Sequence, residues 1–307
     1  MKPFKLLYEE ALDALISEGG NAVPGVDRIR RDTIFRTVAD FRARVLTPLF
    51  GYPPGNEMFL LGSTGKKPDS GDIDIGIDLN AMKCRSALLN LIRLNEICAR
   101  AGFNSCINTV SYRMAHIAYP QIGEEPKKVQ IDVLFTESPE FTKFYMSSPA
   151  PSESRYKGAH RNTLIRAILY CSSYRPLKAD EGGQPVKWEQ LDIQDNGIFM
   201  QTKTLIDENG RRLTYKDTGE PLEPPYAKVE TELKVCDDVP AAIRMFAGDG
   251  VTEGDVSTFE RLFILVRSGR RFRGMRREIL TKCAEDLLLA EKRLEFPDEL
   301  KAYVRRK

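Results

Sequence analysis

Histidine is almost missing from this chain: there are two, His116 and His160, among 307 residues. The six cysteines, at 84, 98, 106, 171, 236 and 283, are scattered and form no Cys-x-x-Cys pair. A zinc site built from Cys and His needs closely spaced pairs of such ligands, so none is expected. The scatter fits reduced, mostly buried thiols in a reducing compartment. Long apolar runs are lacking as well. Each apolar stretch is short and broken by charge, and none is long enough to span a bilayer. Met1-Lys2-Pro3-Phe4 leads into an amphipathic pattern rather than the apolar block of a signal peptide. The expectation is a cytoplasmic protein without a membrane partner. There is no excess of one charge either: 46 Lys and Arg against 44 Asp and Glu leave a net +2, which by itself demands no polyanionic partner. Neither an internal repeat nor a low-complexity tract is visible.

What is present suits a folded globular protein. Hydrophobic residues make up 42% of the chain, enough to build a core, and the length allows two modest domains. Helical spacing predicts helices over 4–18 and 28–47, the second ending at Pro48. Gly51-Tyr-Pro-Pro-Gly55 is a loop signal. Met58–Leu61 reads as a buried strand, and residues 72–79 alternate polar and apolar as a strand does. A helix follows over 81–101, with Leu88, Leu91, Ile92 and Ile97 on its apolar face. Strands are expected at 107–119 and 127–135. Residues 1–150 thus form an α/β domain. Ser147–Ser154 is a Ser/Pro-rich connector. The rest, 151–307, is expected to be mostly helical: helices at about 155–170, 239–247, 255–267 and 275–294, and a last turn from 298. Between them, about 176–235, lies an insertion, either β-hairpin or irregular, with turn signals at Glu208-Asn-Gly210 and Asp217-Thr-Gly219.

One segment carries chemistry: Leu60-Leu-Gly-Ser-Thr-Gly-Lys-Lys-Pro-Asp-Ser-Gly-Asp-Ile-Asp-Ile-Gly-Ile-Asp78. Side chains alternate along a strand, so Asp72 and Asp74 share a face while Ile73 and Ile75 point into the core. Two carboxylates side by side in an apolar strand repel each other unless a cation lies between them. Hard oxygen ligands suit Mg²⁺. Phosphoryl transfer commonly uses two such ions, for which two aspartates are thin. A third stands in Lys128-Val-Gln-Ile-Asp-Val-Leu-Phe135, where Asp132 is the one carboxylate of an apolar strand. Paired beside 72–78, this strand completes a triad. Asp72 and Asp74 are then expected to bridge one ion that holds a triphosphate. A second ion uses all three aspartates and binds an acceptor hydroxyl, with Asp132 as the general base. At Gly62-Ser63 a strand turns sharply. Glycine allows close backbone approach, and amides with the Ser63 hydroxyl can hold phosphate oxygens. Lys66 and Lys67 follow in the same turn and can neutralise a triphosphate. Asp78 reads as a strand-end residue and Asp69 as loop.

Gly-Ser, a spacer of eight residues, Asp-Ile-Asp between apolar residues, and a later strand Asp together resemble the DNA polymerase β-like nucleotidyltransferase superfamily, which includes poly(A) polymerases, CCA-adding enzymes and oligoadenylate synthetases. The resemblance covers roughly residues 57–135. It implies a nucleotidyltransferase domain with a short mixed sheet, which moves a nucleoside monophosphate from a nucleoside triphosphate, with ATP the expected donor, onto an acceptor hydroxyl. It implies two Mg²⁺ or Mn²⁺ ions on Asp72, Asp74 and Asp132, and phosphate binding by Gly62 and Ser63. Gly62-Ser-Thr-Gly-Lys66 is most similar to the oligoadenylate synthetase version, which makes Lys66 a phosphate or acceptor contact. Members of the superfamily often place a basic residue of a following helix on the triphosphate; here Lys157 is the candidate, with His160 and Arg161 one turn on.

The acceptor is less legible. Arg267–Arg277 is a basic cluster suited to RNA, with Phe272 available for stacking, and an RNA 3′ end is the first expectation. Oligonucleotide synthesis from free triphosphates, nucleotidylation of a protein or small molecule, and an inactive nucleotide- or RNA-binding module are the alternatives. All three carboxylates being present speaks against the last. The active site is expected between the two domains. His116, between Ala115 and Ile117, is read as a packed core residue.

Overall fold

Alternation along one strand sets the position of the core. Ile73, Ile75 and Ile77 are fully buried, while Asp72, Asp74 and Asp78 on the opposite face stay half-exposed. Each buried isoleucine contributes about 1.5–3 kcal/mol relative to an exposed one, so a slip of one residue would replace the three isoleucines by two aspartates and Gly76. The computed structural model describes residues 22–108, 112–179, 185–205, 227–289 and 294–304. Its architecture is mixed α/β, with eight helices among the described residues. The helix expected at 4–18 falls outside those residues. Two compact units divide between Arg155 and Tyr156.

In the unit that ends at Arg155, strand β1 (Ile29–Arg30) leads into helix α1 (Arg31–Phe41). Thr33, Ile34, Thr37, Val38 and Phe41 form its buried stripe, at the spacing of an amphipathic helix, while Phe35 is exposed. The helix does not end at Pro48. A π-helical turn (Arg42–Leu46) intervenes, and α2 (Thr47–Phe50) carries Pro48 in its first turn. The π turn closes with the Thr47 amide on the Arg42 carbonyl, and Pro48, which brings no amide, comes directly after that bond.

β2 (Met58–Leu60), β3 (Asp69–Ser70) and β4 (Asp72–Asp78) follow, and β2 is half-buried rather than buried. Helix α3 (Ala87–Arg100) starts six residues later than the spacing suggests, after a 3₁₀ turn at Leu79–Ala81. Ser86 Oγ accepts the Leu89 amide and caps it. Leu91, Leu94 and Cys98 face inward, whereas Leu88 and Ile92 are exposed. The strand expected over 107–119 is two strands: β5 (Asn104–Ile107) and β6 (Met114–Pro120). β7 (Lys128–Thr136) and helix α4 (Pro139–Met146) complete the unit.

The sheet runs β2-β4-β7-β6-β5. β4 and β7 are parallel, with Asp72 opposite Gln130 and Asp74 opposite Asp132. The other pairs are antiparallel. Ile73, Ile75, Ile77, Val129, Ile131, Val133 and Phe135 join Ile34, Phe41 and Leu91 in one core, which leaves the opposite face of β4 and β7 for the aspartates. β1 pairs with β3, Ile29 opposite Ser70, and holds the loop between β2 and β4 against the start of α1.

The unit from Tyr156 onward has helix α5 (Gly158–Ser173) and a four-stranded antiparallel sheet, β8 (Arg175–Ala179), β9 (Pro185–Gln194), β10 (Gly197–Leu205) and β11 (Ala227–Cys236). The insertion is therefore a sheet in its described part. β9 and β10 are joined at Asp195-Asn196; the turn signals at 208–210 and 217–219 lie outside the described residues. Helices α6 (Val239–Ala247), α7 (Phe259–Ser268) and α8 (Arg276–Leu289) follow, then a 3₁₀ turn at Asp298–Tyr303. Among the described residues no helix is long and apolar enough to cross a membrane.

Candidate metal centre

The parallel register brings three carboxylates together. One oxygen from each of Asp72, Asp74 and Asp132 lies within 4.8 Å of the others. Asp72 and Asp74 are half-exposed, and Asp132 is buried at 8% exposure. Like charges this close repel, and the donor set is purely hard oxygen, which fits a divalent ion such as Mg²⁺ or Mn²⁺ rather than a soft metal.

The turn after β2 is built around Asp74. The Leu61 amide donates to the Asp74 carbonyl (3.0 Å), and the Asp74 amide donates to Thr64 Oγ1 (3.0 Å). Gly62 has φ +60°, a conformation that costs an L-residue, and a Cβ placed on it would lie 2.2 Å from Asp74 Oδ2. Glycine is required here to make room for the carboxylate of this chain itself. Ser63 is half-buried in the same turn, and its carbonyl accepts the Lys66 amide (3.0 Å). The exposed Lys66 ammonium donates to the Ser148 carbonyl (2.8 Å), and Lys67 is half-buried. Asp69 pairs with Arg28. Asp78 accepts the Asn80 amide (2.8 Å) and caps the 3₁₀ turn after β4.

Behind Asp132 lies a polar network that the sequence reading did not assign. Gln130 Nε2 donates to Asp132 Oδ1 (2.8 Å), and His116 Nδ1 lies 2.8 Å from the same oxygen. Gln130 Oε1 accepts the amides of Ala22 (2.9 Å) and Val23 (3.2 Å). All three side chains are buried. His116 is thus more than a packed residue. It faces Asp132 directly across the antiparallel β6/β7 pair. Burial opposes a charge on its imidazole, but the hydrogen bond to Asp132 and the charges of Asp132 and Asp72 outweigh this and move its pKa up. Thr64 was missed too. The one signal for Gln130 was its i, i+2 relation to Asp132. Nothing in the sequence alone gives the register that brings His116 there.

Lys157 and Arg161 belong to the other unit. Lys157 is the N-cap of α5, and its amide donates to His160 Nδ1 (3.1 Å). His160 Nε2 donates to the Glu295 carbonyl (2.8 Å), so this histidine ties the helix start to the chain near 295. Arg161 is 2% exposed and donates from Nε (3.2 Å) and Nη2 (3.0 Å) to Asn162 Oδ1. In the basic cluster, Phe272 is buried at 1% exposure and is not available for stacking. It lies in a 3₁₀ turn, Arg270–Phe272, that follows α7 directly, which turns the ring inward. Arg271 Nη2 caps the Met245 carbonyl of α6 (2.7 Å), and Arg276 Nε the Val266 carbonyl of α7 (3.1 Å). Arg267, Arg270, Arg273 and Arg277 are exposed.

Comparison of the chain with models of known protein families and with curated protein sequences gives no match.

Proposed function

We propose that this chain is a metal-dependent nucleotidyltransferase of the DNA polymerase β-like type. It moves a nucleoside monophosphate from a nucleoside triphosphate, ATP first, to the hydroxyl of an RNA 3′ end: a bond forms from the hydroxyl oxygen to the α-phosphorus, the α–β bridging bond breaks, and pyrophosphate leaves. The observation that carries the reading is the convergence of Asp72, Asp74 and Asp132, drawn from two parallel strands, within 4.8 Å, beside a turn that only glycine can make. Phosphoryl transfer asks the protein for positioning and charge stabilisation more than for covalent chemistry, and this arrangement offers both.

Asp72, Asp74 and Asp132 would together hold the divalent ions, Asp72 and Asp74 from β4 and Asp132 from β7. When bound, divalent ions supply charge neutralisation on the phosphates and lower the pKa of the attacking hydroxyl. Ser63 and the backbone of the Gly62 turn orient the phosphate tail, with Lys66 adding positive charge. Asp132, the most buried of the three, receives the proton of the acceptor hydroxyl.

The test is incubation with each α-labelled nucleoside triphosphate and Mg²⁺ or Mn²⁺, in separate reactions with RNA, with protein and with no acceptor. Label on RNA 3′ ends supports the reading in full. Label in short oligomers without added RNA keeps the reaction but changes its acceptor, in the direction that Gly62-Ser-Thr-Gly-Lys66 suggests. No incorporation under any condition, with the protein folded, defeats it.

A further inference from the structure

We propose that His116 and Gln130 are positioning residues that fix the carboxylate of Asp132 as a metal ligand; this rests on the reading of the three aspartates as a metal centre. Both donors end on the same atom, Oδ1, at 2.8 Å each, and neither reaches Oδ2. A carboxylate held at one oxygen by two buried donors cannot spin about its Cβ–Cγ bond, so its second oxygen keeps one direction.

The donors are themselves held. Free rotation would let the Gln130 amide present either its oxygen or its nitrogen to Asp132, and the oxygen would repel it. The Ala22 and Val23 amides settle this by donating to Gln130 Oε1, which turns Nε2 toward Asp132. His116 is fixed by β6, whose register sets it opposite Asp132. The side chains of Gln130, His116 and Asp132 are all buried, the setting in which a hydrogen-bonded network specifies one geometry. Chain near residue 22 therefore acts on the metal centre through one glutamine, from 107–108 residues away in sequence.

Outer partners of metal ligands typically carry a 10–100-fold share of metal affinity, and that is the loss expected here. The measurement is Mn²⁺ binding to the full chain, followed by electron paramagnetic resonance of the free ion, with no nucleotide present. His116→Phe and Gln130→Met, which keep volume and remove the donor, should each bind Mn²⁺ about 10–100-fold more weakly with the fold intact by circular dichroism. His116→Asn should restore most of the affinity, because its amide nitrogen can take the place of Nδ1. His116→Gln, whose nitrogen lies one atom further out, should not. A role in packing alone would not separate Asn from Gln in this order. Wild-type affinity in both His116→Phe and Gln130→Met, with Asp132→Asn losing the ion, would overturn the positioning role and leave the metal centre standing. Equal Mn²⁺ binding by wild type and Asp132→Asn would overturn the metal centre, and this inference with it.

Discussion

Replacing Gly62 by alanine perturbs the proposed site through one methyl group, and its effect can be worked out. The backbone there has φ +60°, so an L-residue costs about 1–2 kcal/mol whatever surrounds it. The added Cβ would also stand 2.2 Å from Asp74 Oδ2, against the 3.4 Å at which ordinary van der Waals contact begins, so the carboxylate must retreat by 3.4 − 2.2 = 1.2 Å. A displacement of about 1 Å in a reacting constellation costs about 100-fold in rate, or roughly 2.7 kcal/mol of barrier. The control is Gly102→Ala, at φ +78° with nothing within 4 Å of the new Cβ. It should lose the same 1–2 kcal/mol of stability and keep its activity. Urea denaturation reads the first quantity and initial rates of α-label incorporation the second. Gly62→Ala should be as stable as Gly102→Ala, or somewhat less, and about 100 times slower. Transfer by Gly62→Ala within a few-fold of wild type, or an equal slowing in Gly102→Ala, would refute the reasoning.

Other outcomes follow from the same geometry. Asp74→Asn and Asp132→Asn should abolish transfer without unfolding the chain. Wild type should gain about 2.7 kcal/mol from Mn²⁺ at 100 times the Kd in thermal melts, and both variants should lose that gain; an undiminished rise in either variant contradicts the triad. In metal-free protein the raised pKa of His116 makes its bond to Asp132 a source of stability complete below the ordinary value of 6.5 and lost as pH climbs through the raised one. Denaturation in EDTA should show stability falling across that window in wild type and a flatter profile in His116→Asn; a flat wild-type profile counts against the pair. Arg267, Arg270 and Arg273 changed together to alanine should weaken RNA binding and reduce its salt dependence by about one slope unit per arginine. An unchanged slope in a filter-binding titration removes this cluster from the acceptor site.

The reach of the sequence was set by periodicity. Alternating Asp and Ile over 72–78 defines the two faces of strand β4, and the same rule puts Asp132 on the face opposite Ile131 and Val133 on β7. Helix α6 was legible to the residue at both ends, 239–247. What periodicity does not carry is register between distant strands. That Asp74 stands opposite Asp132, and His116 opposite Asp132 in turn, depends on how β4, β7 and β6 pair. His116 therefore looked like any histidine in an apolar strand. Local breaks were also hidden. Strand propensity ran across 107–119, while β5 ends at Ile107 and β6 begins at Met114. Pro48 looked like a helix end because the π turn before it leaves no trace in composition. Phe272 looked available among six arginines, yet a 3₁₀ turn buries it.

The most direct measurement is a crystal grown with Mn²⁺ and a non-hydrolysable ATP analogue, with anomalous scattering recorded at the manganese edge. The account requires anomalous density bounded by the carboxylates of Asp72, Asp74 and Asp132, with the triphosphate running from it toward Gly62 and Ser63. Anomalous density elsewhere, or none at the three aspartates while the analogue is bound, would contradict it.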